Sequence, residues 1–387
     1  MTQNVFFSPV LTVVFFAMVI SCARDKAQEE EVADPEAEYF QDYEGSANKW
    51  GFMDTRGRVV IPPKYDQVSA FTEGVAPVNF EGKWGYISSS DSVVIPFTFR
   101  SAWQFHNGKA RVIDFSGAPC ILFRDGDTLC PPRITELYDY SEGLAVFQRG
   151  ALHGYLDTMG QVRIESRFDQ ARKFENGTAR VMLHDKQGLI NRNGDFVIRP
   201  EYDRVYTPSS ERILVKKGNE YFYLNMQGDR LGVTYRNATP YNNNVAAVAD
   251  NNGWMLVDPE GNPLTATRYA HIRPANAQRW IARQVDLLAV LDHEGNPLTP
   301  FQYSQINNFS EGYAGYCRDN LWSFMDTTGY EITPPQFGLV WDFHEGLARA
   351  AFRNGIAYVT TTGEVPFMPE YFEIRDFSEG LAPFQNE

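Results

Sequence analysis

Residues 49–66 read KWGFMDTRGRVVIPPKYD, and residues 321–338 read LWSFMDTTGYEITPPQFG. Aligning this stretch along the chain gives ten copies. The place of Trp50 falls next on Trp84, Pro119, His153, Gln187, Tyr221, Trp254, Leu288, Trp322 and Ile356. The steps are 34, 35, 34, 34, 34, 33, 34, 34 and 34 residues. So regular a period means an array of one supersecondary unit, not two or three independent domains.

Each unit reads as short strands. KWGFMD is one, followed by a turn ending in Gly: Thr55-Arg56-Gly57, Thr158-Met159-Gly160, Arg192-Asn193-Gly194, His293-Glu294-Gly295 and Thr327-Thr328-Gly329. This is the pattern of a three-residue hairpin loop, a type I turn closed by a left-handed residue. Asp54, Asp157, Asp258, Asp292 and Asp326 precede such turns, where a short carboxylate can accept backbone N–H groups. A second strand runs into Pro62-Pro63, which must end it or lie on an edge. Two more strands flank a Phe-x-Glu-Gly turn at Phe71–Gly74, Phe309–Gly312, Phe343–Gly346 and Phe377–Gly380, with Tyr140–Gly143 a near copy. A unit therefore holds three or four antiparallel strands and no convincing helix.

The motif KWGFMD…G…VVIPPKYD…F-x-EG-x-A-x-V resembles the WG-repeat family of bacterial proteins, over residues 48–387. The resemblance is close in units 1, 2 and 9 and loose in units 5 to 8, where the WG pair becomes Gln187-Gly188, Tyr221-Phe222, Trp254-Met255 and Leu288-Ala289. It implies a β-repeat scaffold, often on exported or envelope proteins, with no general catalytic residues to carry over.

One hairpin unit cannot bury both faces, so neighbours must stack. A propeller-like closed ring and an open β-superhelix both do this. The array starts with one half of a unit and stops with the other, so joining the ends would complete a unit and hide both edges. The expected fold is thus all-β, ten hairpin repeats in a propeller-like ring, with the open superhelix as alternative.

Residues 5–20 are mostly apolar and run into VISC at 19–22. This resembles a bacterial lipobox, which implies a signal peptide over 1–21 and a lipid on Cys22. Residues 23–47 hold nine acids against two bases and are nearly free of aliphatics, as expected of an extended tether over 22–47. The expected location is the bacterial envelope, lipid-anchored, at the outer membrane, in the periplasm or on the surface.

Formal net charge is −14, and composition shows no basic stripe, which argues against nucleic acid. Cys120 and Cys130 flank ILFRDGDTL. A three-residue loop at Arg124-Asp125-Gly126 sets Cys120 opposite Cys130, within disulfide reach. A two-residue loop would set Ile121 there instead. Cys317 reads as buried. Six histidines show no metal-ligand spacing, and nucleophile, P-loop and dinucleotide motifs are missing. No cofactor, metal or catalytic residue is expected. Trp50, Trp84, Trp254 and Trp322 hold the signature place and read as core; Trp103, Trp280 and Trp341 could stack on a sugar or peptide. The leading reading is a non-enzymatic scaffold for an unknown protein, peptide or glycan, with its site in the divergent units 5 to 8. The alternatives are an envelope enzyme using Glu142 and Glu311 in a central channel, or a spacer without a ligand.

Overall fold

The computed structural model describes residues 48–386. They form 36 strands in ten antiparallel sheets, with no helix among the described residues. Each sheet is a blade, and its strands are lettered a to d in sheet order. Blade 2 is Gln67–Val68, Val75–Phe80, Lys83–Ser88 and Val93–Phe99. Strand c carries the signature position, so blade number equals repeat number.

Blade 1 is built from both ends of the array. Strands a and b are Glu373–Ile374 and Leu381–Gln385; c and d are Trp50–Asp54 and Val59–Tyr65. Strand b pairs with c in unbroken register, from Trp50↔Gln385 to Asp54↔Leu381. The contacts that join sequential blades recur at this junction. Ser141 Oγ donates to the Phe174 carbonyl at 2.6 Å, and Ser310 Oγ to that of Phe343 at 2.8 Å. Ser378 Oγ does the same to Phe71 at 2.7 Å, between residues 307 apart. The array is a closed ten-bladed propeller ring, and the split unit at its ends is a single blade.

Aromatic pairs fill the space between blades. The ring two places after the signature residue meets the ring of the next a–b hairpin. Phe52–Phe71, Tyr86–Phe105, Tyr155–Phe174, Phe324–Phe343 and Tyr358–Phe377 have centroids 4.8 to 5.0 Å apart. Edge-on packing of this kind adds to the simple gain from burial. Tyr86, Tyr155 and Tyr358 also donate their hydroxyls to carbonyls of the next blade, Trp103, Arg172 and Arg375, so none is buried unsatisfied.

The structure accounts for the glycine of the WG pair. A Cβ on Gly51 would lie 2.4 Å from the Ile61 carbonyl oxygen, and on Gly154 2.5 Å from that of Ile164. Gly85 and Gly188 are in the same position against Ile95 and Ile198. Strand d crosses directly over strand c there through a bulge. Blades 1, 2, 4 and 5, which have this Gly, have a seven-residue strand d. In blades 3 and 6, where Cys120 and Phe222 stand instead, strand d is two and six residues long. Blades 7 to 9 keep only isolated bridges there, such as Trp254↔Tyr269. Blade 10 has three strands.

Candidate ligand-binding track

The recurrent turn acids are engaged in the fold. Asp54 Oδ1 accepts the N–H groups of Arg56 and Arg58, both at 2.9 Å. Glu73 and Glu142 occupy the first central place of a two-residue a–b turn, with φ of 53° and 52°. A glycine with positive φ follows each, which makes the turn type I′. These glutamates reach across to the next blade: Gly108 N–H donates to Glu73 and Gly177 N–H to Glu142, both at 3.0 Å. Glu311 accepts from Glu345 and Gly346, Glu345 from Glu379 and Gly380, and Glu379 from Gly74 across the junction.

The tryptophans singled out from sequence divide. Trp280 is fully buried between blades 7 and 8, packed with Tyr269 and Leu291, so it cannot stack on a ligand. Its place in strand b, facing the neighbouring sheet, is the reason. Trp103 and Trp341 are half-buried, and each has a guanidinium over its ring, Arg111 at 3.9 Å and Arg349 at 4.8 Å. Both arginines donate onward to a carbonyl of the next blade, Leu137 and Ile374. The two indoles thus belong to blade-to-blade staples. Trp50 and Trp322 are core, while Trp84 and Trp254 are half-buried.

Cys120 and Cys130 are joined by a disulfide, on a hairpin registered Leu122↔Thr128 and Ile121↔Leu129. Asp114 lies close to the pair, but bonded sulfurs offer no thiolate to a metal. Cys317 is buried and free. Cys22 lies outside the described residues.

A large concavity, a cleft of about 1020 Å³, lies between blades 4 and 5 and reaches blade 6. Tyr138 and His153 line it on one side, and Arg172, Arg180 and Arg204 on the other. Blade 5 contains Gln170–Ala171 as strand a and Thr178–Leu183 as strand b. Arg172, just past strand a, donates its backbone N–H to the Arg180 carbonyl at 2.9 Å, so the two residues sit side by side. Arg204 opens strand a of blade 6 (Arg204–Val205) and pairs directly with Lys216 of strand b (Ile213–Lys217). A second concavity of about 560 Å³ continues from Lys216 to Arg236.

These five cations form no ion pair among the described residues. The acids of the cleft are already engaged. Asp139 pairs with Arg111 at 3.4 Å, and Asp169 accepts the His184 N–H at 2.6 Å. Burial pulls the Glu175 carboxyl up, but the Thr207 hydroxyl, Lys173 and Arg180 outweigh it and hold its pKa low. Burial raises the Tyr206 phenol, and Arg204 and Arg180 both oppose this, so the fields of the two guanidinium groups overlap.

Sequence composition conceals this track. Residues 160–217 hold twelve Lys and Arg against eight Asp and Glu, inside a chain of net −14. The expectation of no basic stripe holds for the chain average and fails locally. The available signal was columnar. The facing pair where strand a opens and strand b closes is Gln67↔Asn79, Ser101↔Ile113, Gln170↔Met182, Asn237↔Ala249 and Gln305↔Cys317 in five other blades, and His271↔Arg283 in blade 8. In blade 6 it is Arg204↔Lys216.

Seven segments, 50–84, 84–113, 154–186, 188–221, 290–322, 322–355 and 356–387, match the WG containing repeat. They cover more than half of the chain, and the protein belongs to this family. A search of curated proteins finds no match. Similar solved structures include a eukaryotic initiation factor, at 11% identity over 87% of this chain and 98% of that one, TM-score 0.48. BamB from Moraxella catarrhalis is 12% identical over 75% of this chain and 97% of its own, TM-score 0.37. The computationally designed Ika8 protein is 11% identical over 68% and 96%, TM-score 0.37.

Proposed function

We propose that this protein is a non-enzymatic binding and scaffold module of the bacterial envelope, held to a membrane by lipid on Cys22, that captures a protein client in the cleft of blades 4 to 6. The observation that carries this reading is the cleft itself: a large concavity whose three arginines form no ion pair among the described residues. Repeat arrays of this kind present broad surfaces on a stiff frame. The non-enzymatic role is supported by the turn glutamates. Glu142 and Glu311, the carboxylates an acid–base mechanism would draw on, are occupied by the N–H groups of the next turn.

The test is capture from envelope extract by the full-length chain in detergent, read by mass spectrometry. A saturable protein partner is expected, and Gln170→Trp, which fills the cleft without changing charge, should release it. A partner held equally by that variant would contradict the placement, and no partner at all would favour a spacer without a ligand. Cys22→Ser should move the protein out of the membrane fraction; unchanged membrane retention would contradict the anchor.

A further inference from the structure

We infer that the track Arg172, Arg180, Arg204, Lys216 and Arg236 recognises an acidic polypeptide segment, a refinement that rests on the proposed binding role. Three observations lead to this.

The first is electrostatic. Like charges directly opposite on paired strands destabilise a sheet. Arg204 and Lys216 face each other in that way, and no carboxylate bridges them. The cost is reduced by resting each cation on a ring: Arg204 lies 4.8 Å from the Tyr206 centroid and Lys216 5.6 Å from that of Tyr221. These contacts orient the cations but do not neutralise them. An anionic ligand would. Asp203 acts on Lys216 at longer range but is bonded to Lys186 and the Gly218 N–H, so this break of the sheet's own pairing rule is only partly offset inside the fold, as expected of a functional position.

The second is contrast with neighbouring sites. Several bases elsewhere in the ring are each matched to an acid. Lys186 pairs with Asp203 at 2.6 Å, Arg318 with Glu331 at 2.9 Å, Arg349 with Asp376 at 2.7 Å and Arg268 with Asp250 at 3.2 Å. The five track cations, over three consecutive blades, have no acid within ion-pair distance. The acids that line the cleft, Asp139, Asp169 and Glu175, are bonded to groups outside the track.

The third is the shape and mixture of the surface. A cleft of about 1020 Å³ is far larger than a single small anion requires, and it extends towards the concavity at Lys216. Val146 and Ala171 line its floor beside Arg172 and Arg180. Apolar floor interleaved with guanidinium forks suits a polypeptide whose carboxylates alternate with apolar side chains. The planar fork of arginine matches a carboxylate in a bidentate way. A phosphate backbone would meet the same cations but would gain little from that floor. Of the aromatic rings at the track, Tyr206 and Tyr221 are covered by Arg204 and Lys216, and Tyr138 packs against His153 with centroids 6.4 Å apart.

The experiment is fluorescence anisotropy with the full-length chain in detergent. The probes are a labelled peptide of alternating Glu and Val, ten residues long, its Gln-for-Glu counterpart, and a labelled ten-nucleotide oligothymidylate. The Glu peptide is expected to bind saturably and to weaken with salt, as exposed charge pairs do. The Gln peptide and the oligothymidylate should bind at least about tenfold more weakly. Arg180→Gln and Arg204→Gln should each cost about tenfold, the scale of one lost charge-assisted hydrogen-bond set. Arg349→Gln, whose partner is Asp376, should cost nothing, and circular dichroism of each variant checks folding. No binding of the Glu peptide, or binding indifferent to Arg180→Gln and Arg204→Gln, overturns the inference. Tighter binding of the oligothymidylate than of the peptide overturns it in favour of nucleic acid. The two readings fail separately. A client captured equally by the Arg180→Gln/Arg204→Gln double variant and lost with Gln170→Trp would keep the binding module and remove the acidic ligand.

Discussion

Single residues in this array act mostly on the blade beyond their own. Glu73 adopts a left-handed backbone conformation that glutamate seldom takes, and its carboxylate holds the turn of the next blade. That the turn would contain Glu-Gly was legible in sequence; what the carboxylate does was not, because its partner lies a whole repeat away. His271 shows how a residue's titration follows from the same placement. Burial lowers its pKa, helped by Arg283, which faces it directly, and by Arg273. Trp254 covers the imidazole, with ring centroids 4.9 Å apart. The histidine is therefore neutral in the fold and protonates more readily when unfolded. Its contribution to stability is full above the unfolded pKa of about 6.5 and is lost as pH falls towards the lower folded value. Urea midpoints should drop between pH 7.5 and 5.5, and less so in His271→Phe. An equal drop in that variant would mean His271 does not contribute.

At the scale of the element, the signature glycine governs the fourth strand. Blades with Gly have a seven-residue strand d bulged over strand c, and blades without it have a shorter strand or bridges alone. Gly154→Ala should lose about 1 to 3 kcal/mol, the usual cost of forcing a methyl group into packed backbone. Hydrogen exchange should rise in Val162–Phe168 while other blades stay protected. Unchanged exchange there would show that the close approach does not set the strand. The hairpins and their Gly-closed turns were legible in sequence because they follow from local backbone rules, while Pro62-Pro63, read as ending the strand or lying on an edge, lie within the edge strand Val59–Tyr65. The burial of Trp280 and the Arg204–Lys216 pairing were not legible there. Those depend on which face of a strand meets the next blade, and a period of about 34 residues does not state that.

For the whole molecule, the decisive feature is that the first and last units are halves of one blade. The strand pairing Trp50↔Gln385 and the Ser378 to Phe71 bond repeat, across the chain ends, what neighbouring blades do elsewhere. Closure fixes the number of blades at ten and fixes blades 4 to 7 as a stiff arc that presents the cationic track. An open coil would leave the edges of Leu381–Gln385 and Trp50–Asp54 that pair across the junction without partners and let that arc flex. The direct measurement is electron microscopy of single particles, sorted into face-on class averages. Closed rings with ten radial lobes are the expected result. Arcs with a gap, or coils of varying length, would contradict closure and with it the rigid placement of the track.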